Sequence, residues 1–176
     1  NNQFYNNYFK KEGVLNVSME RSYNDGKLRL LVGYEAAWVN ITSFKGNSMI
    51  QSDYNTGKVV GLRKGLVQIV QAGLIYDTRD LETDPSNGVF AELTNELSLK
   101  ELGSLYDFNK TFAHFNFYKK IFPNAFKKLV VAGRTALGYT ALNAPFFEYQ
   151  DQWTSEGSIE GVGVPNTLRG FKQSRF

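Results

Sequence analysis

The sequence predicts an all-β fold, an antiparallel up-and-down transmembrane β-barrel, and three observations carry that prediction. Apolar and polar residues alternate with a period of two along six segments, most of them longer than the roughly 5–6 residues of a soluble strand and as long as the 9–11 a membrane crossing needs. The connections between the segments alternate short and long. Aromatic residues make up 15% of the chain, 14 Phe and 10 Tyr, and gather near segment ends, as in the girdles at a barrel's two membrane interfaces.

Composition narrows the classes further. Mean hydropathy is −0.35, low for an aromatic-rich soluble core but ordinary where only alternate residues need be apolar. No run of 18 apolar residues forms a transmembrane helix. The polar opening Asn1-Asn2-Gln3 is no signal peptide, so the chain reads as mature or as a fragment. With no cysteine, disulfides and thiol chemistry are excluded. A net charge of +3 spread among acids lacks the clustered basic face of a nucleic-acid binder.

Residues 1–13 read as an exposed Asn-rich loop. The first strand, 14–22, places Leu15, Val17 and Met19 on one face and Asn16, Ser18 and Glu20 on the other. Tyr23-Asn24-Asp25-Gly26 is a tight turn in which Asp-Gly supplies positive φ. The second strand, 27–41, alternates Leu28, Leu30, Val32, Tyr34, Ala36 and Trp38 against Arg29, Gly33 and Glu35. A long polar loop, 42–65, leads to the third strand at 66–80. Residues 81–88 make a turn through Pro85 and Asn87-Gly88. The fourth strand, 88–100, sets Val89, Ala91, Leu93, Leu97 and Leu99 against Glu92, Thr94, Glu96 and Ser98, with Asn95 interrupting the apolar face. The fifth, 108–122, sets Ala113, Phe115, Phe117 and Ile121 against Lys110, His114, Asn116 and Lys120. Pro123-Asn124 starts a turn into the sixth, 128–141, and a very long loop, 142–176, follows. No helix is expected.

In such a barrel the periplasmic turns are short and the external loops long. That parity puts 42–65, 101–107 and 142–176 outside, and 23–26, 81–88 and 123–127 at the periplasmic rim. Tyr23, Tyr76, Phe90 and Phe122 would then form the lower girdle, and Trp38, Phe108 and Tyr139 the upper. Glu92, Glu96, Lys110, His114, Lys120 and Arg134 face the lumen. Asp77, Arg79 and Asp80 sit where strand meets turn, and an intra-turn salt bridge with Asx-type bonds is the expected arrangement. The sole histidine, His114, has no nucleophile and acid at triad spacing, so no catalytic residue, cofactor or metal is assigned. Glu148, Asp151, Glu156 and Glu160 read as solvated, with oxygen-ligated Ca²⁺ the alternative. A soluble β-sandwich or lipocalin-like barrel is the rival fold.

Two ordered motifs carry a resemblance. Asp77-Thr78-Arg79-Asp80 followed by Pro85-Ser86-Asn87-Gly88, and then Val131-Ala132-Gly133-Arg134 leading through Pro145-Phe146-Phe147-Glu148 and Gly157-Ser158 to Leu168-Arg169-Gly170-Phe171, resemble the signature of the BamA/TamA/FhaC outer-membrane assembly and translocation superfamily, also called the bacterial surface antigen family. The match covers about residues 66–176. The resemblance implies a barrel of about sixteen strands, of which these would be the sixth to eleventh, so that the chain would be a fragment. It implies that the long loop folds into the lumen with Arg169 donating to acidic or aromatic side chains of later strands, Gly170 allowing close approach and Phe171 packing.

The implied function is non-enzymatic: insertion or translocation of proteins at the outer membrane of a Gram-negative bacterium. The implied partners are outer-membrane lipids and lipopolysaccharide, substrate outer-membrane proteins, and periplasmic or lipoprotein partners, with no nucleic acid. Alternatives within the family are a barrel that anchors an N-terminal enzyme such as a patatin-like lipase, and a structural or dimeric pore without POTRA domains.

Overall fold

The computed structural model describes residues 8–43, 49–126, 128–149, 151–155 and 157–160. Six strands form one antiparallel sheet in sequence order: β1 (Tyr8–Tyr23), β2 (Leu28–Ser43), β3 (Lys64–Asp77), β4 (Asn87–Ser98), β5 (Phe108–Lys120) and β6 (Val130–Leu142). A helix, α1 (Met49–Asn55), and two 3-10 turns, Lys100–Leu102 and Phe146–Glu148, lie in the connections. A short hairpin of β7 (Asp151–Thr154) and β8 (Gly157–Glu160) follows β6. Each strand pairs with its chain neighbour, and among the described residues β1 and β6 keep one free edge each. The architecture is the up-and-down sheet expected from the alternation. A 13-residue strand such as β5 is about 43 Å long and, tilted by about 45°, crosses roughly 30 Å, the depth of a bilayer's hydrocarbon.

The two faces differ in kind. Leu15, Val17 and Met19 of β1, Leu30, Val32, Tyr34 and Trp38 of β2, Val70, Leu74 and Tyr76 of β3, Leu93 of β4, Phe115 and Phe117 of β5, and Leu137 and Tyr139 of β6 all stand exposed on one face. An apolar surface spanning six strands is far larger than a water-soluble domain leaves bare. It has the character of a lipid-facing wall. Among the described residues no helix is long and apolar enough to cross a membrane.

The opposite face holds the buried residues. At the long-loop end Ala37, Val39, Ile41, Val67, Ile69, Tyr106, Phe108, Ala144 and Phe147 pack into one cluster, with Val60, Leu62, Leu105 and Phe146 against it. Burial of the phenol pushes the Tyr106 pKa up to about 12.

Several expectations are corrected. β1 begins at Tyr8, inside the stretch read as an exposed loop, because Phe9 to Glu12 continue the ladder with Thr42 to Val39 of the long second strand. The connection read as irregular contains α1, whose Ile50 is only 1% exposed; Met49 and Ile50, adjacent in a polar stretch, are a weak periodic signal. β3 ends at Asp77 rather than at residue 80, since Thr78 and Asp80 turn their N–H groups to Val89 and Asn87. Phe90 and Phe108 are inner-face residues, 2% and 0% exposed, and belong to no girdle. In the β1–β2 turn three successive residues, Asn24, Asp25 and Gly26, take positive φ, a conformation Asn, Asp and Gly tolerate best.

Candidate functional site: a loop seated on the inner wall

The wall is built by cross-strand register. Glu92 of β4 lies opposite His114 of β5, Thr94 opposite Phe112, and Glu96 opposite Lys110. On the other side Glu96 faces Gln71 of β3, and Thr94 faces Gly73. Period-two geometry therefore brings acids, amides and a cation into one patch on the inner face. His114 is stacked on Phe90 at 5.1 Å and edge-on to Phe112 at 5.7 Å, with its Nδ1 3.7 Å from Glu92 Oε2.

The segment after β6 lies on that patch. Pro145, Phe147 and Glu148 are buried, and so are Gln152, Trp153 and Thr154 of β7. Lys110 Nζ is 2.8 Å from Glu148 Oε2 and 3.1 Å from Glu96 Oε2, a buried cation bridging two carboxylates. Glu96 Oε2 also accepts the Trp153 N–H at 3.2 Å, and its Oε1 accepts from Gln71 Nε2 at 3.4 Å. Thr94 Oγ1 donates to the Trp153 carbonyl at 2.8 Å, and Glu92 accepts the Ser155 N–H. Wall side chains thus serve as ladder partners for the backbone of β7, satisfying groups that would otherwise be buried and unpaired.

Two glycines make room for the indole. A Cβ on Gly33 would stand 3.3 Å from Trp153 Cζ2, and one on Gly73 would stand 3.4 Å from Trp153 Cζ3 and 3.3 Å from both Leu31 and Thr94. Trp153, 5% exposed, lies on this bare stretch of β2 and β3 and packs with Leu31, Ile75 and Phe90. The seat covers only part of the wall. On β5, inner positions are buried from Phe108 to His114, and burial falls off toward Lys120.

At the short-turn end the β3–β4 connection is held by its own side chains. Arg79 grips Asp77 through Nε at 2.9 Å and a terminal nitrogen at 2.7 Å, and its guanidinium lies 4.4 Å from the Phe90 ring centroid. Asp80 Oδ1 accepts N–H groups from Leu81, Ser86 and Asn87. The amides of Asn87 and Ser86, above all, hold its carboxyl below the usual carboxylate range. Gly88 has φ +111, and a Cβ there would overlap the Thr78 carbonyl and come within 2.7 Å of Arg79 Cα. The motif Asp77, Arg79, Asp80, Pro85 and Gly88 therefore shapes one turn, which Arg29 of β2 also meets, 3.7 Å from Asp77; Pro85 is half-buried within it.

The other expected residues divide. Glu92, Glu96 and His114 are brought together beneath the loop. Arg134 lies on the same face opposite Asn116, outside the seat and exposed. Lys110 forms the centre of the ionic cluster. Glu148, expected to be solvated, is instead buried against Lys110, a correction that its distance from the wall in sequence concealed. Asp151 contributes backbone to β7, and Glu156 and the tip Leu168, Arg169, Gly170 and Phe171 lie outside the described residues. Sequence reading missed Trp153, Gly33, Gly73 and Gln71. The glycines on an inner face were the only available sign that something bulky lies against it.

No curated protein matches the chain. The profile of the Omp85 superfamily domain, a group of outer-membrane β-barrels of protein insertion and translocation, matches residues 1–176. With the six-stranded meander, its lipid-type outer face and a loop on its inner wall already described, that match over the whole chain settles the assignment: the chain belongs to the Omp85 superfamily.

Proposed function

We propose that this protein assists the insertion or translocation of other proteins at the bacterial outer membrane, with the loop after β6 acting as a lumenal latch and no catalytic group taking part. The six strands are part of a larger, sixteen-stranded barrel in this reading, with the long loops outside and the β3–β4 turn at the periplasmic rim. Arg169, Gly170 and Phe171 form the tip of the latch, and Glu92, Glu96, His114 and Arg134 face the lumen. The observation that carries the reading is the bridge from Glu148 through Lys110 to Glu96, which seats the beginning of the loop on the inner wall. Partners are substrate outer-membrane proteins, periplasmic or lipoprotein factors, and membrane lipids.

The test uses the full-length protein in phosphatidylethanolamine/phosphatidylglycerol vesicles with an unfolded outer-membrane barrel as substrate. Insertion is followed by the appearance of protease-resistant, heat-modifiable product. Deleting Arg169-Gly170-Phe171 is expected to slow insertion while the protein itself still migrates as a folded barrel. Equal rates for the parent and the deletion would sink the latch.

A further inference from the structure

We propose that the outer face of β3–β6 carries a site for one anionic phospholipid, an acyl chain lying in a groove over Ala91 and Ala113 and the phosphate meeting Lys119. The groove, about 290 Å³, is bounded by Leu74, Tyr76, Phe115 and Leu137 and floored by Ala91 and Ala113. Its existence follows from side-chain size. Across the sheet Tyr76, Ala91, Phe115 and Thr135 share one register row, and Leu74, Leu93, Ala113 and Leu137 the next. Ala91 and Ala113 therefore stand low between the larger Tyr76, Phe115, Leu93 and Leu137. The lining is almost wholly apolar, which selects hydrocarbon.

The same face leads from the groove to a cation. Along β5 the outer positions run Ala113, Phe115, Phe117, Lys119, so Lys119 lies about 13 Å from Phe115. Phe117 leans onto Gly133, where an added Cβ would come within 2.7 Å of the ring's Cζ. Lys119 is exposed and makes no ion pair among the described residues. It opens the sequence Lys119-Lys120-Ile121-Phe122 and Phe126-Lys127-Lys128-Leu129, whose Phe122 and Phe126 are 65% and 55% exposed. The acid paired with this turn is Asp84, 2.7 Å from Lys128. The end of β5 and the turn after it thus carry Lys119, Lys120 and Lys128 with no acid of their own, beside the acids of the β3–β4 turn, and the turn continues a face already read as lipid-facing. That charge and that continuity fit a phosphate-bearing lipid.

The full-length barrel in a non-ionic detergent is offered equal amounts of dioleoyl phosphatidylglycerol and dioleoyl phosphatidylcholine, and retained lipid is counted by native mass spectrometry. Phosphatidylglycerol is expected to be retained about fivefold over phosphatidylcholine, the worth of one lysine near an anionic surface. Lys119→Gln should abolish the preference, Lys119→Arg should keep it, and Ala113→Leu, which fills the groove, should lower retention of both lipids. Heat-modifiable migration confirms that each variant is folded. Equal retention of the two lipids by the parent would overturn the site, and it is the result expected if a protein partner rather than a lipid occupies the turn. A preference unmoved by both Lys119→Gln and Ala113→Leu would overturn it too.

Discussion

Replacing Lys110 with methionine removes the cation that bridges Glu96 and Glu148 and roughly keeps the length of the side chain. At an effective dielectric constant of about 20, contacts of 2.8 and 3.1 Å correspond to attractions of about 6 and 5 kcal/mol. The cost of holding three ions out of water offsets much of that, at several kcal/mol per ion. What decides the effect is the state left behind, two carboxylates buried side by side. Losing one partner of a buried pair costs about 3–5 kcal/mol, and here the loop can relieve it by leaving the wall. The free energy for lifting β7 off the sheet should fall by that amount. Hydrogen exchange at the Trp153 amide, bonded to Glu96, reads the lifting directly, and its protection should drop roughly 100- to 4,000-fold. Glu148→Gln should cost less, because Lys110 keeps Glu96. A Lys110→Met barrel that migrates as folded and whose Trp153 amide exchanges within threefold of the parent's would refute the claim that this cluster seats the loop.

Three further outcomes are expected. Gly88→Ala puts a methyl group into the Thr78 carbonyl at a φ of +111 and should destabilise the β3–β4 turn by at least about 2 kcal/mol, measured by urea unfolding in detergent; a change below half of that would show the turn to be adaptable. The Asp80 carboxyl is held low by the Asn87, Ser86 and Leu81 amides, so its contribution is fully present above the unfolded value near pH 4 and is lost as pH falls through the lower folded value. Exchange at the Ser86 and Asn87 amides should therefore accelerate beyond its intrinsic pH trend only below about pH 4, and an acceleration already complete at pH 6 would contradict the assignment. On the two faces, Leu93→Arg should cost about 2–4 kcal/mol if its site lies near the bilayer midplane, whereas Ser18→Arg on the inner face should cost under about 1 kcal/mol; equal costs in lipid vesicles would refute the identification of the lipid side.

The strands were legible because much of the wall repeats one rule, apolar out and polar in, although β2 and β3 also turn Val39, Ile41, Val67 and Ile69 inward. Leu93 beside Glu92 and Thr94, or Phe115 beside His114 and Asn116, shows its face without any knowledge of neighbours. The β3–β4 turn was legible for a different reason, since Arg79 and Asp80 bond to Asp77, Glu82, Ser86 and Asn87 within a few residues of themselves, even though Asp77 also meets the distant Arg29. The seat was not legible. Glu148 and Lys110 are 38 residues apart, and nothing local in Pro-Phe-Phe-Glu says that its carboxylate will be buried. β7 is too short to show a period, and its backbone bonds to wall side chains rather than to a long partner strand. The inner wall misled in the same way: Phe90 at its lower end and Phe108 at its upper end look like girdle residues by position, and the packing of Trp153 and Phe147 against them shows that they line the bed of the loop.

A barrel at a cell's outer boundary has one side in whatever water surrounds the cell, and no pump sets the ionic strength there. A clasp of exposed pairs like Lys128–Asp84, whose side chains are 78% and 69% accessible, would slacken as the Debye length shrinks from about 10 Å in 0.1 M salt to about 3 Å in 1 M. The Lys110 ammonium, 2% accessible, has no room for counterions. Its grip on Glu96 and Glu148 is therefore nearly the same in fresh water as in brine, and the setting of the loop is insulated from the medium the protein faces.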